Sequence, residues 1–385
     1  MTENNGKFRY VRLLGIVQAD TAIVHGSGGS ETRDGKKIDM AIKRKVVADN
    51  NSGSSFVPVV TGNAIRGGAL RDSATLRLAT KLGVFKSIID FRLYASGGTA
   101  ATMISKEKGG YKYIDLAREI ELRRKNPHLS TFGGQKHSLI KGKLRVGDML
   151  PICKATKHLM PDYFGSYEEI SFLSEIPEDE ILFTRRQKEE DPDWQEYLAE
   201  EALAEMAQEA EKAEKRDAAK LKKERIENKK KGKENIVPNE EQEETLDEEE
   251  TLLSKEAKKS VKMIRTVEAI PAGTKMYNFI DLVRPSNVEI GLICAALEEF
   301  SISPYVGGKS SQGYGRVSMS YNLIVDGNMS NMEDQAVVIN QNEIFALNSP
   351  LLQECLAAYE EWLANVKRED VLYYEFEKKG KNKGE

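Results

Sequence analysis

Four glycines fall within nine residues of the segment Tyr305-Val306-Gly307-Gly308-Lys309-Ser310-Ser311-Gln312-Gly313-Tyr314-Gly315-Arg316-Val317. Glycines at this density open positive φ and let a main chain approach a ligand closely. The flanks constrain the fold further. A helix-like run precedes the loop and a strand-like run, Val317–Tyr321, follows it. Phosphate loops of doubly wound folds sit the other way round, between a strand and a following helix. The order argues against a mononucleotide pocket and for a basic loop that touches a polyphosphate chain such as RNA. Lys309, Ser310, Ser311, Gln312 and Arg316 are then the phosphate-binding types, and Gly307 and Gly308 permit close approach. Tyr314 either stacks on a base or fills the sheet surface. The plain alternative is a glycine-rich surface turn without a ligand.

The length, 385 residues, suits two to three domains or one elaborated domain with insertions. Cys153, Cys294 and Cys355 lie far apart, which argues against a disulfide framework or a zinc knuckle. The four histidines, His25, His128, His137 and His158, share no metal or triad spacing, so no metal or cofactor is expected. The polar start Met1–Asn5 and the lack of a membrane-length apolar run predict a cytoplasmic chain without a membrane partner. The net charge of −4 conceals an asymmetry. Residues 185–260 hold 17 basic and 24 acidic side chains, and the rest of the chain holds 40 and 37. Nucleic-acid binding must therefore rest on where basic residues cluster.

Along the chain, 8–24 alternates as a strand and 25–55 reads as a long loop around Ile38 and Met40. Phe56–Val60 is a short extended run. Thr61 or Asn63 then caps a helix carrying Ile65, Leu70, Leu76, Leu78 and Leu82. Residues 112–126 form a charged helix that ends before Pro127. Lys143–Val146 and Arg265–Ala269 are strand-like, separated by the charged insertion. Within it, 194–231 is helical in composition, and 232–250 is too charged to fold alone. Such a helix is usually a solvated one supported by ion pairs such as Glu211/Lys215. A partner or target strand is the other reading, with Lys220–Lys233, which contains Lys229–Lys231, as its basic half. Val288, Leu292, Ala295, Ala296 and Phe300 mark an amphipathic helix over 288–300, and a last helix covers about 343–367. The segments are 1–184, 185–260, 261–330 and 331–385. Strand, helix, strands, helix, glycine loop and strand together suit an α+β, ferredoxin-like core.

Thr61–Arg71 opens the first helix. Free N–H groups at a helix start attract phosphate, and Arg66 and Arg71 add forked donors. A purely structural helix start is the alternative. Gly133–Ser138, with Lys136 and His137, reads as another basic contact. His25, beside Gly26, Gly28 and Gly29, lies near RNA or is a solvated loop histidine.

Gly62-Asn63-Ala64-Ile65-Arg66-Gly67 followed by Leu70-Arg71 resembles the G-S-S-[IL]-[KR]-G-x-[LM]-R element of the RAMP superfamily of CRISPR proteins. Tyr305–Val317 is similar to that superfamily's glycine-rich loop, Thr131–Gly134 to its Phe-Gly step, and Ala269–Thr274 to the strand and turn before its second helix. The four occur in the family's order over about 8–325, outside the insertion. Within the superfamily the chain looks like the backbone subunit of class 1 effector complexes, closest to type IV, then type III and type I-D. The resemblance implies a modified RNA-recognition palm with a thumb hairpin, its base near Gly133–Ser138, and a finger insertion. It also implies copies lined along a CRISPR RNA, other effector subunits as partners, and a complementary target strand, DNA first and RNA second, in antiviral defence and plasmid interference. Arg66, Arg71, Lys309 and Arg316 would meet phosphates, and Asn63, Ser310, Ser311 and Gln312 the sugar–phosphate chain. Ile38–Arg44, which brings in Lys43 and Arg44 as RNA contacts, aligns with the loop that carries a catalytic aspartate in RNA-cleaving type III backbones. Asp39 is thus the candidate catalytic residue of an alternative, a metal-dependent endoribonuclease. Met40-Ala41 departs from that pattern, and Asp34 is the one further acid nearby. A turn aspartate pairing with Lys37 is the bland reading, and a non-catalytic scaffold is the expectation.

Overall fold

A computed structural model describes residues 8–33, 36–47, 53–97, 116–135, 139–161, 178–184, 263–342 and 344–372. The chain divides into two compact units, Met1–Glu180 with Val267–Glu385, and Ile181–Thr266. Of the second unit only the strand ends 181–184 and 263–266 are described. The expected helix over 194–231 and the charged stretch 232–250 lie outside the described residues.

Strand β1 (Tyr10–Ala19) forms where the sequence alternates. Val11, Leu13, Val17 and Ala19 are buried on one face, and Tyr10, Arg12, Ile16 and Gln18 are half-exposed on the other. The stretch read as a loop over 25–55 is instead two ribbons. β2 (Gly26–Arg33) pairs with β3 (Lys36–Ala41), and β4 (Lys43–Val47) pairs with β5 (Ser54–Pro58). A continuous helical run follows, made of α1 (Gly62–Ala64), a π-helical segment Ile65–Arg71 and α2 (Asp72–Leu82). Thr61 caps it, accepting a hydrogen bond from the Ala64 N–H. Ile65, Leu70 and Leu78 are buried as expected, whereas Leu76 is 56% exposed. Next come α3 (Ile88–Ser96), α4 (Leu116–Lys125) and α5 (Pro127–Phe132), the last capped by Asn126 with Pro127 in its first turn. Short strands β6 (Gly134–Gln135), β7 (Leu139–Ile140), β8 (Leu144–Val146) and β9 (Leu150–Pro151) lead to β10 (Glu178–Thr184) and β11 (Met263–Ala269). The remainder is β12 (Lys275–Val283), α6 (Asn287–Ser301), β13 (Val317–Val325), β14 (Glu333–Ile339), β15 (Ala346–Leu347), α7 (Pro350–Asn365) and α8 (Arg368–Val371).

The result is a mixed α+β fold. Its main sheet has the order β15-β14-β13-β1-β12-β8, with β9 on β12, and its pairs are antiparallel. Helix α6 starts at a capping box in which Ser286 and Glu289 satisfy each other's backbone N–H. It buries Ile290, Ile293 and Leu297 against Val11, Leu13 and Val17 of β1, with Leu70, Leu78 and Tyr359 from other helices in the same core. On the opposite face, Leu14 and Ile324 are covered by Met160 and Met332. Arg12 there pairs with Asp281 at 2.7 Å, between the rings of Tyr10 and Phe279. Helix α7 begins at Pro350, after the cap Ser349, later than the spacing predicted. Among the described residues no helix is long and apolar enough to cross a membrane.

Candidate nucleic-acid interface

The glycine loop is fixed by main-chain bonds rather than by side chains. Gly308 N–H donates to Val24 O at 2.7 Å, Gly315 N–H to Ala22 O at 2.8 Å, and Val306 N–H to Gly315 O at 2.8 Å. Asp20 and Thr21 N–H both donate to Arg316 O, and Arg316 N–H donates to the Thr21 hydroxyl. Gly315 has φ +88°, and an added Cβ would lie 2.1 Å from Val306 O, so glycine is required there. Between these anchors Lys309 takes a left-handed conformation at φ 65°, and Ser310–Gln312 make one exposed 3-10 turn. The amides of Lys309, Ser310 and Ser311 donate to no group among the described residues. Successive unengaged N–H groups after a left-handed residue form an anion-binding concavity. Lys309 and Arg316 make no side-chain hydrogen bond or ion pair among the described residues. Tyr314 is half-buried beside them.

The two glycine elements meet on one short segment. Val24 bridges to Gly308, and the next residue, His25, accepts from Thr61 N–H through Nε2 at 3.3 Å. Ile270, in the Ala269–Thr274 element, pairs with Ile23. Burial holds His25 below the usual histidine range, partly offset by Asp148.

At the second element, donors expected to face a phosphate are occupied from within. Gly62 N–H donates to Asp148 Oδ1 at 2.7 Å, and Arg44 Nε donates to Asp148 Oδ2 at 2.6 Å. Burial pushes the Asp148 carboxyl up, but the bonds from Arg44 and Gly62 outweigh it and leave the group below the ordinary carboxylate range. Lys43 pairs at 3.0 Å with Glu268, which is 1% exposed and also takes Arg33 and the Ala41 N–H. Asn63 is exposed at the first turn. Arg66 and Arg71 turn inward: both donate to the carbonyl of Phe132, Arg71 at 3.0 Å. In an α-helix residues five apart point about 140° apart. The π winding over Ile65–Arg71, with its i→i+5 repeat, brings them onto one face. Burial, and then the neighbouring Arg66, push the Arg71 guanidinium down to about 10. These two arginines thus join the 62–71 element to the Phe132–Gly133 step instead of presenting free forks to solvent.

Asp39 sits half-buried on β3, opposite Ser30. Among the described residues no group of three His, Cys, Asp or Glu could hold a metal. Asp34, Lys136 and His137 lie outside the described residues. His128 is a core residue, packed among Tyr94, Phe132, Tyr359 and Trp362 and pushed down to about 3 by burial. Sequence reasoning missed Asp148 and Glu268, because a single acidic residue between apolar neighbours carries no motif.

No protein-family model matches the chain, and no curated protein sequence matches it. Its structure is similar to a chain of a type IV-B CRISPR complex, with a TM-score of 0.43 and 15% identity, covering 89% of this chain and 96% of that one. It is also similar to Csc2 of Thermofilum pendens, with a TM-score of 0.36 and 12% identity, covering 97% of this chain and 90% of that one.

Proposed function

We propose that this chain is a CRISPR RNA-binding backbone subunit of a class 1 effector complex, type IV-like, and a scaffold rather than a nuclease. Copies line up along the guide RNA beside other effector subunits and present the spacer for pairing with a complementary strand, DNA by preference. The observation that carries this reading is the glycine loop, where three amides, Lys309 and Arg316 have no partner among the described residues, on a backbone tied at both ends to 20–24. A rigid concavity of this kind binds phosphate without reading sequence. The core reads as a ferredoxin-like palm. In support, β1, α2, β8, β12, α6 and β13 occur in this order along the chain, with other elements inserted between them, and the sheet order β13-β1-β12-β8 corresponds to the order 4-1-3-2.

The test is binding of the full chain to single-stranded RNA over a salt series. Lys309→Ala/Arg316→Ala should weaken binding about tenfold per lost contact, equally for all sequences. Its log–log salt slope should fall by about 0.7 per contact. A folded double variant that binds like the wild type would sink the reading. The scaffold assignment also expects a complementary RNA to stay intact with Mg²⁺ present, and Asp39-dependent cuts at regular intervals would overturn it.

A further inference from the structure

Phe56 leaves 63% of its surface open, on a two-stranded ribbon whose other face is packed. Val46 and Val57 on the inner face are buried against Cys153 and Ala155. The outer face carries Lys45, directly opposite Phe56 in register, and Val47, 51% exposed. Side chains alternate faces along each strand, so Lys45, Val47 and Phe56 share one surface. The ribbon's foot is fixed by two ion pairs, Lys43 with Glu268 at 3.0 Å and Arg44 with Asp148 at 2.6 Å. Lys45, the third cation of the run, makes no ion pair among the described residues. The outer face is therefore an open ring beside an open positive charge, on a support that cannot fold them away.

Its position ties it to the glycine loop. Gly308 bonds to Val24, the adjacent His25 accepts from Ile42 N–H, and Ile42 accepts from Val59 N–H, next to Pro58 at the ribbon's foot. Three strand spacings separate Gly308 from Val59, and Phe56 lies three residues further along its strand, so roughly 17 Å separates the two contacts and a strand of a few nucleotides spans them.

We propose that Phe56 is a base-stacking residue for the RNA strand held at the glycine loop, with Lys45 on the phosphate beside the stacked base. The inference rests on the RNA-binding reading above and adds to it a contact to a base rather than to the backbone. An aromatic face accepts any base by stacking, and an ammonium on a flexible stem suits a phosphate as a point charge. The cationic neighbour favours a polyanion over the apolar face of a second copy as the occupant.

The experiment uses the full chain and two labelled probes, oligo(U) and oligo(A) RNA, one series with 2-aminopurine in place of adenine. Phe56→Ala and Phe56→Leu should both weaken binding about tenfold with an unchanged salt slope, because leucine keeps the apolar bulk but cannot stack. Phe56→Trp should retain binding and quench 2-aminopurine. Lys45→Ala should lower the slope by about 0.7. A Phe56→Leu variant that binds like the wild type would overturn the stacking assignment. So would loss of RNA-free self-association on Phe56→Ala with RNA affinity intact, which would make the ribbon a contact between copies. A wild type that binds neither RNA overturns both readings. Binding that depends on Lys309 and Arg316 but not on Phe56 overturns this one alone.

Discussion

The 61–71 helix start and the 305–317 loop share a composition of glycine, small polar and basic residues, and both lean on the segment 24–25. Their donors have opposite fates. At the helix start Asp148 takes the Gly62 amide, Thr61 takes that of Ala64, and Phe132 O takes Arg66 and Arg71. In the loop, three consecutive amides and two cations have no internal partner among the described residues. The difference teaches that residue type sets which ligands a segment can address, while tertiary neighbours set whether it is available. A carbonyl buried at the end of α5 must be met by a donor, and the π segment supplies two.

The largest effect should come from the loop's backbone. Gly313 and Gly315 have nearly the same φ, +86° and +88°, but a Cβ at Gly313 meets nothing within 4 Å whereas one at Gly315 lies 2.1 Å from Val306 O. Gly313→Ala should destabilise by about 1 kcal/mol through φ alone, and Gly315→Ala by about 3 kcal/mol or more. Denaturant unfolding measures both. Equal losses would show that the close pairing of Val306 and Gly315 does not hold the loop.

Much of the fold follows from periodicity: β1, the helix capped at Thr61, the end of α4 before Pro127, and α6 all lie where the spacing puts them. Strand β12 was hidden because Asn278 and Asp281 interrupt its apolar pattern. Both are buried and bonded, Asn278 to Gly147 O and Tyr321, Asp281 to Arg12. β2 reads Gly-Ser-Gly-Gly-Ser-Glu-Thr-Arg and is exposed through Thr32, so no alternation announces it. The position of the glycine loop between helix and strand was legible. The inward turn of Arg66 and Arg71 was not, because it needs the π winding and a carbonyl that lies 61 residues beyond Arg71.

A middle-sized effect separates the two elements by kind. Arg66→Ala/Arg71→Ala removes two donors from Phe132 O and the guanidinium over its ring, so stability should fall by about 1–2 kcal/mol. The salt slope of RNA binding should not change. A slope reduced as in the Lys309/Arg316 variant would place these arginines on the RNA and remove the contrast.

The smallest effect is the sharpest test of why the helix start is silent. If Asp148 fills its anion site from within, then Asp148→Asn should release Arg44 while Asn Oδ1 still accepts from Gly62 N–H. Arg44 is 52% exposed, so the lost ion pair should cost under about 1 kcal/mol. Its sign with pH follows from the depressed carboxyl. Burial raises it, Arg44 and Gly62 together lower it further, and the net stabilisation is present above the unfolded value of about 3.9 and is lost as pH falls through the folded one. Wild type and variant should therefore differ at neutral pH and converge in acid. At neutral pH the freed guanidinium should tighten RNA binding about threefold and steepen the salt slope by about 0.7. An unchanged slope in a folded Asp148→Asn protein would mean that Arg44 does not face the strand. The helix start would then be silent because of where it points, not because its own carboxylate occupies it.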